Sequence, residues 1–191
     1  MDPPNFIVGI GGSAGGLAAY KSLLDALPPR TGMAFVIVAH LLPTASSELA
    51  AILSRHTKMR VLVASMGMPI QKNHVYVIPP DADILIDRYA FKIVSPRARR
   101  NKQIDIFLTS LAESMEDHAI GIILSGYDGD GTEGCQQIKA KGGITFSQDL
   151  SAAVTDMPLN AEASGSIDFV LPPDKIADEL QRIASAAMEK G

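Results

Sequence analysis

One cysteine, no tryptophan and an aromatic content of only 5% in 191 residues narrow the field at once. Cys135 has no partner for an internal disulfide, and no Cys/His cluster has zinc spacing, so neither a disulfide framework nor a metal site is expected. With so few rings, the core must be built from Ala, Val, Ile, Leu and Met. Positive charge is not in excess: a formal net charge of −4 excludes a generally basic nucleic-acid binder, though not a local basic patch. Long apolar runs are missing too. Met33 to Ala39, the longest, falls far short of the ~18 residues of a membrane span. Phe6 to Ile10 stops at Gly11 with no basic stretch before it, which is not the pattern of a signal peptide. Repeats, low-complexity stretches and long linkers are also absent. The expectation is one domain over residues 1–191 in a reducing, cytoplasmic setting, with no membrane insertion and no nucleic-acid partner.

What is present is an alternation of short β-branched runs with helical patterns. Phe6 to Ile10 and Met33 to Ala39 read as buried strands, Ala119 to Leu124 as a continuous apolar strand, and Arg60 to Ala64, Ile144 to Ser147 and Ile167 to Leu171 as further short strands. Between them lie helical stripes: Leu17, Tyr20, Leu24 and Leu27; Ser46 to His56; Ile104, Leu108, Leu111 and Met115; Thr132 to Lys141; and a closing helix with Asp174 as N-cap. The middle differs, because His74 to Ile78, Asp83 to Asp87 and Ala90 to Val94 surround Pro79-Pro80 and a tight turn, which predicts an antiparallel section. Fully apolar strands separated by helices imply a doubly wound, mostly parallel α/β sheet covered on both faces, with a small antiparallel hairpin section.

In such sheets reactive groups gather at the carboxyl ends of the strands. The first such end, Gly9-Ile10-Gly11-Gly12-Ser13-Ala14-Gly15-Gly16, supports three readings. Gly11-x-Ser13-x-Gly15 is a tight turn that presents a serine hydroxyl. Gly9-x-Gly11-x-x-Ala14 fits a dinucleotide fingerprint. A plain glycine turn that allows close packing fits equally well. The second end weakens the dinucleotide reading, since His40 stands where a ribose-binding acid is wanted; it is either a packing residue or a base for Ser13. The third, Ser125-Gly126-Tyr127-Asp128-Gly129-Asp130-Gly131-Thr132, carries two carboxylates that suit cation binding, helix capping or the orientation of a histidine. A calcium loop is excluded because its glycine and glutamate positions are not met. Together the three ends offer nucleophile, base and carboxylate in the order Ser, His, Asp, which is not the order of the usual α/β hydrolases.

These segments resemble the catalytic domain of the CheB-type chemotaxis receptor methylesterases. The likeness extends to His40 before an apolar residue and Pro43, Asn73 to Pro80, the Ile104-Asp105 opening of a helix, and Met157-Pro158 with Ala161. It implies Ser13 as nucleophile, His40 as general base and Asp130 as the residue that orients it, with Asp128 a neighbour of no catalytic role. Backbone N–H groups near Ala14 and Tyr127 become oxyanion-hole candidates. The implied reaction is hydrolysis of γ-glutamyl methyl esters on cytoplasmic chemoreceptor helices with release of methanol, with glutamine deamidation as a second activity and no cofactor or metal. A methyltransferase or regulatory domain is a candidate partner. The competing class is a non-catalytic signalling module of the same fold.

The chain departs from the family pattern at Ala14, Tyr127 and Ala39, where Thr, Met and Gln are common. Its first strand begins by Phe6, so a receiver domain ahead of it is not expected within this chain; a stand-alone esterase or part of an esterase–methyltransferase fusion is. Arg97 to Lys102 is more basic than the pattern, either a solvated loop or a patch for an acidic receptor surface. His56, His74, His118 and Cys135 read as structural, and Met66 and Met68 as packing under the antiparallel strands.

Overall fold

The computed structural model describes residues 3–40 and 46–189. Seven parallel strands form one sheet in the order β3 (Arg60–Val63), β4 (His74–Val77), β2 (Ala34–Ala39), β1 (Ile7–Gly12), β7 (Ala119–Ile123), β8 (Ile144–Gln148) and β9 (Phe169–Leu171). A separate antiparallel hairpin joins β5 (Asp83–Asp87) to β6 (Ala90–Val94). The doubly wound expectation therefore holds, with one correction: His74 to Val77 leaves the antiparallel section and pairs in parallel with β2 and β3. A short run does not announce its partner, and Tyr76 is as fully buried as a central strand requires.

Strand alternation sorts the apolar side chains into two cores. From β2, Phe35, Ile37 and Ala39 face one core, while Ala34, Val36 and Val38 face the other. The first core is closed by α1 (Gly16–Ala26), α2 (Ser46–Leu53) and α6 (Pro173–Met188). The second is closed by α3 (Gln103–Met115), α4 (Thr132–Ala140), α5 (Asp156–Ala163) and the hairpin. Helix α5 was not among the elements predicted above; its apolar periodicity is weak, with only Met157, Pro158 and Ala161 buried. Leu17 is exposed, whereas Tyr20, Leu24 and Leu27 of the expected stripe are buried, together with Gly16, Ala19 and Leu23. Helix α2 ends at Leu53 rather than His56. Pro172, not Asp174, occupies the N-cap of α6, and Asp174 sits in its first turn. Met68 packs partly against the second core while Met66 is exposed.

The bland reading of the glycine run is correct for two of its residues. A Cβ at Gly9 would lie 2.5 Å from Leu108 Cδ2, and one at Gly11 2.5 Å from Ile104 Cγ2. Both glycines let α3 lie directly on β1, which brings the start of that helix to the strand's carboxyl end. On the opposite face the Tyr20 ring fills the space beside Gly12, and its buried hydroxyl has no hydrogen-bond partner among the described residues.

Two stability predictions follow from that packing. Gly11→Ala forces Ile104 off its seat and should lose about 1–3 kcal/mol in urea unfolding. Tyr20→Phe removes a hydroxyl already unpaired and should leave the midpoint unchanged or raise it.

Candidate active site

Strand β1 lies between β2 and β7, so the chain's path reverses there and a crevice opens beyond the carboxyl ends of these three strands. The register ends at the pair Gly12↔Ala39, and Ser13 and His40 are the next residues on their strands. From β7, Leu124 N–H donates to Gly11 O at 2.8 Å and Ser13 N–H donates to Ser125 O at 2.9 Å, which prolongs the ladder to the serine. Gly15 then turns in the left-handed region, with φ 72°, and starts α1.

His40 Nε2 and Asp130 Oδ2 are 2.7 Å apart and hydrogen-bonded. Asp130, 2% exposed, also accepts the N–H groups of Ile104 (3.1 Å, Oδ2) and Asp105 (2.8 Å, Oδ1) at the amino end of α3. Burial raises the Asp130 pKa above the ordinary aspartate range; the hydrogen bonds from His40, Asp105 N–H and Ile104 N–H oppose that rise, and the Asp105 charge adds to it. Asp128 is the other carboxylate of the loop. Its Oδ1 accepts Asp130 N–H at 2.8 Å, and its Oδ2 lies 4.0 Å from His40 Nδ1, too far for a hydrogen bond. The structure thus joins His40 to Asp130 directly and to Asp128 only at long range. Among the described residues no hydrogen bond joins Ser13 to His40; catalytic hydrogen bonds commonly tighten only around substrate.

The N–H groups of Ala14 and Tyr127 carry no hydrogen bond among the described residues, and the Tyr127 side chain is 60% exposed. Between them Gly126 comes close to Ser13: a Cβ there would stand 3.0 Å from Ser13 Cβ. The other histidines are engaged elsewhere. His56 pairs with Asp25, His74 Nδ1 donates to Lys72 O, and His118 pairs with Asp117. Cys135 is fully buried, which pushes its thiol pKa far up and leaves it a packing residue. Pro43, quoted above for the likeness, lies outside the described residues. Among the described residues no group of three or more His, Cys, Asp or Glu is arranged to hold a metal, and no helix is long and apolar enough to cross a membrane.

Comparison with known proteins decides the family. The sequence profile described as CheB methylesterase matches residues 8–180. The chain belongs to the CheB methylesterase family. A Leptospira interrogans relative, provisionally named a protein-glutamate methylesterase/protein-glutamine glutaminase, is 34% identical over 185 residues, covering 95% of this chain and 96% of that one. A Vibrio vulnificus protein-glutamate methylesterase/protein-glutamine glutaminase is 35% identical over 178 residues, covering 89% of this chain but 51% of its own length. The crystal structure of the Thermotoga maritima CheB methylesterase catalytic domain superposes with a TM-score of 0.86 at 27% identity, covering 93% of this chain and 98% of that one. A carboxylic ester hydrolase of this family needs a nucleophile, a proton carrier and an anion-stabilising pocket, and the crevice holds residues suited to all three.

Two contributors, Ser125 and Asp105, stand in segments quoted above, but the sequence assigned neither a role. Ser125 is fully buried: its hydroxyl donates to Ala14 O at 2.7 Å and accepts Val154 N–H at 2.9 Å, while its own N–H donates to Gln148 Oε1 at 3.0 Å. It therefore ties the Ser13 turn to the loop after β7. Asp105 does the same for the Asp130 loop. The backbone groups that each one braces lie far along the chain, so local pattern does not reveal the bracing.

The raised Asp130 pKa sets a pH dependence of stability. A carboxyl whose folded pKa exceeds its unfolded value contributes fully below the unfolded value, and the contribution is lost as pH rises through the folded one. Urea midpoints measured from pH 3 to 8 should show this fall in the wild type, and Asp130→Ala should lack it whatever its offset. Equal slopes in the two proteins would contradict the assignment.

Proposed function

We propose that this CheB-family chain is a protein-glutamate methylesterase that also deamidates glutamine, acting on the cytoplasmic helices of methylated chemoreceptors, with Ser13 as nucleophile, His40 as general base and Asp130 as its orienting carboxylate. The observation that carries the reading is the 2.7 Å hydrogen bond between His40 Nε2 and a buried carboxylate, at the strand end beside a serine turn. An ionised Asp130 can only accept, so Nε2 carries the proton and Nδ1 presents its lone pair. Nδ1 is then the nitrogen that takes the Ser13 proton, the reverse of the assignment in the chymotrypsin-type triad.

The steps balance without a cofactor. Ser13 Oγ attacks the γ-carbonyl as its proton passes to Nδ1. The carbonyl oxygen becomes an oxyanion facing the unpaired N–H groups of Ala14 and Tyr127, each such donor worth ~2.7–4 kcal/mol in a preorganised hole. The imidazolium returns the proton to the departing methoxide, and methanol leaves an acyl-serine. Water, deprotonated by Nδ1, attacks that ester and restores Ser13 with a free glutamate. From glutamine the same sequence releases ammonia. Asp128, at 4.0 Å from Nδ1, adds a long-range attraction to the imidazolium and no bond.

We read residues 1–191 as one catalytic unit working in the cytoplasm, alone or beside a methyltransferase or regulatory domain. The test is methanol release from methylated chemoreceptor membranes. Wild type should release it, while Ser13→Ala and His40→Ala should each lose ~10⁴-fold or more, because such residues act as a unit. Asp130→Ala should be more damaging than Asp128→Ala. Release that survives Ser13→Ala would exclude Ser13 as nucleophile, and the reverse ranking of the two aspartates would exclude Asp130.

A further inference from the structure

Asp105 is a buried carboxylate for which the reaction above has no use. It lies in the first turn of α3 and is 4% exposed. Its Oδ1 accepts two backbone N–H groups, from Gly131 and Gly134, both at 2.9 Å. Its Oδ2 accepts Lys102 Nζ at 3.0 Å, and its own N–H donates to Asp130 Oδ1 at 2.8 Å. The N-cap of α4 is Gly131, which has no side chain to satisfy the helix's first donors. Asp105 supplies that cap from a different helix. Asp130, which precedes α4, in turn takes the N–H groups that open α3. Each helix start is capped by the carboxylate of the other segment.

We infer that Asp105 is a positioning residue for hydrolysis: by holding Gly131 and Gly134 it fixes the loop that carries Asp130, and so keeps Asp130 on His40 Nε2. The inference rests on the roles assigned to His40 and Asp130 above. The arrangement is more than a helix cap, because of what it places together. A second carboxylate beside a buried Asp130 opposes the ionisation that the orienting role requires. An uncharged cap would avoid that penalty. Lys102 partly offsets it; its ammonium bonds Asp105 and lies 3.7 Å from Glu133 Oε1. Asp105 also holds the loop at three points, since its backbone N–H bonds the Asp130 carboxylate while its side chain bonds the Gly131 and Gly134 N–H groups. Displacement of Asp130 by about 1 Å would suffice to lose ~10²-fold in rate.

Asp105→Ala and Asp105→Asn, each verified as folded by thermal melting, test the proposal with two readouts. The first is the kinetics of methanol release. For Asp105→Ala, kcat should fall about 10²-fold with KM unchanged, and Asp105→Asn should recover part of the loss by keeping one oxygen for the Gly131 and Gly134 donors. The second is the ¹H–¹⁵N signal of His40 Nε2–H, which reports the bond to Asp130 without any substrate. It should be shifted or lost in Asp105→Ala and intermediate in Asp105→Asn. Should the alanine variant not fold, the asparagine variant decides. Its NH2 group replaces the oxygen that accepts Lys102 Nζ and sets donor against donor, which pushes the side chain off the Gly131 and Gly134 N–H groups, so the resonance should move part of the way. A lowered melting temperature with wild-type kcat and an unmoved His40 signal would reduce Asp105 to a cap and overturn the proposal. A wild type that releases no methanol would count against the proposed function alone, because the His40 signal would still report on Asp105.

Discussion

Everything at the crevice depends on how hydrogen-bond donors offset the cost of burying the Asp130 carboxylate. Its two oxygens accept three donors, two from the first turn of α3 and one from His40. An unpaired buried carboxylate would take up a proton instead, and a neutral acid holds an imidazole far less firmly. Helix starts offer unsatisfied N–H groups and a positive dipole end, so α3 provides the donors without any cationic side chain touching the carboxylate. The bond to His40 follows from that stabilisation.

Placing the start of α3 there is the task of the central strand. Gly9 and Gly11 lack the Cβ atoms that would hold the helix off the sheet, and Ile104, Phe107, Leu108 and Leu111 occupy the space. The same strand then delivers Ser13 one step past its last ladder pair, beside His40 at the end of β2. Ser125 closes the third side by bonding the serine turn to the segment before α5. Sheet order, helix approach and loop capping therefore converge on one point, where each element supplies a single group. In a protein with so few aromatic rings, this precision comes from close backbone approach rather than from large anchoring side chains.

Much of this was legible before the structure. Apolar runs separated by helical stripes indicated a doubly wound sheet, and Ser13, His40 and Asp130 stood at strand ends where chemistry is expected. Local periodicity sufficed because β1, β2 and β7, which carry these residues, are buried on both faces. It failed where pairing or capping is decided across the chain. His74 to Val77 has the same composition whether it pairs in a hairpin or in the main sheet. Helix α5 shows little amphipathic rhythm, because Met157, Pro158 and Ala161 are its only buried residues. Asp174 was a reasonable cap by type, yet Pro172 ends the preceding strand connection and takes that position. Ser125 and Asp105 act through loop partners more than twenty residues away, which no local pattern reveals; only Lys102, on Asp105, is near in sequence.

The most direct test of the central claim, that the His40–Asp130 pair activates Ser13, is covalent labelling with a fluorophosphonate followed by peptide mass spectrometry. Such a reagent traps an activated serine whatever the natural substrate is. A single adduct on the peptide containing Ser13 in the wild type, abolished by His40→Ala and slowed by Asp130→Ala, is the predicted result. An unlabelled Ser13, or labelling that proceeds unchanged without His40, would contradict the account.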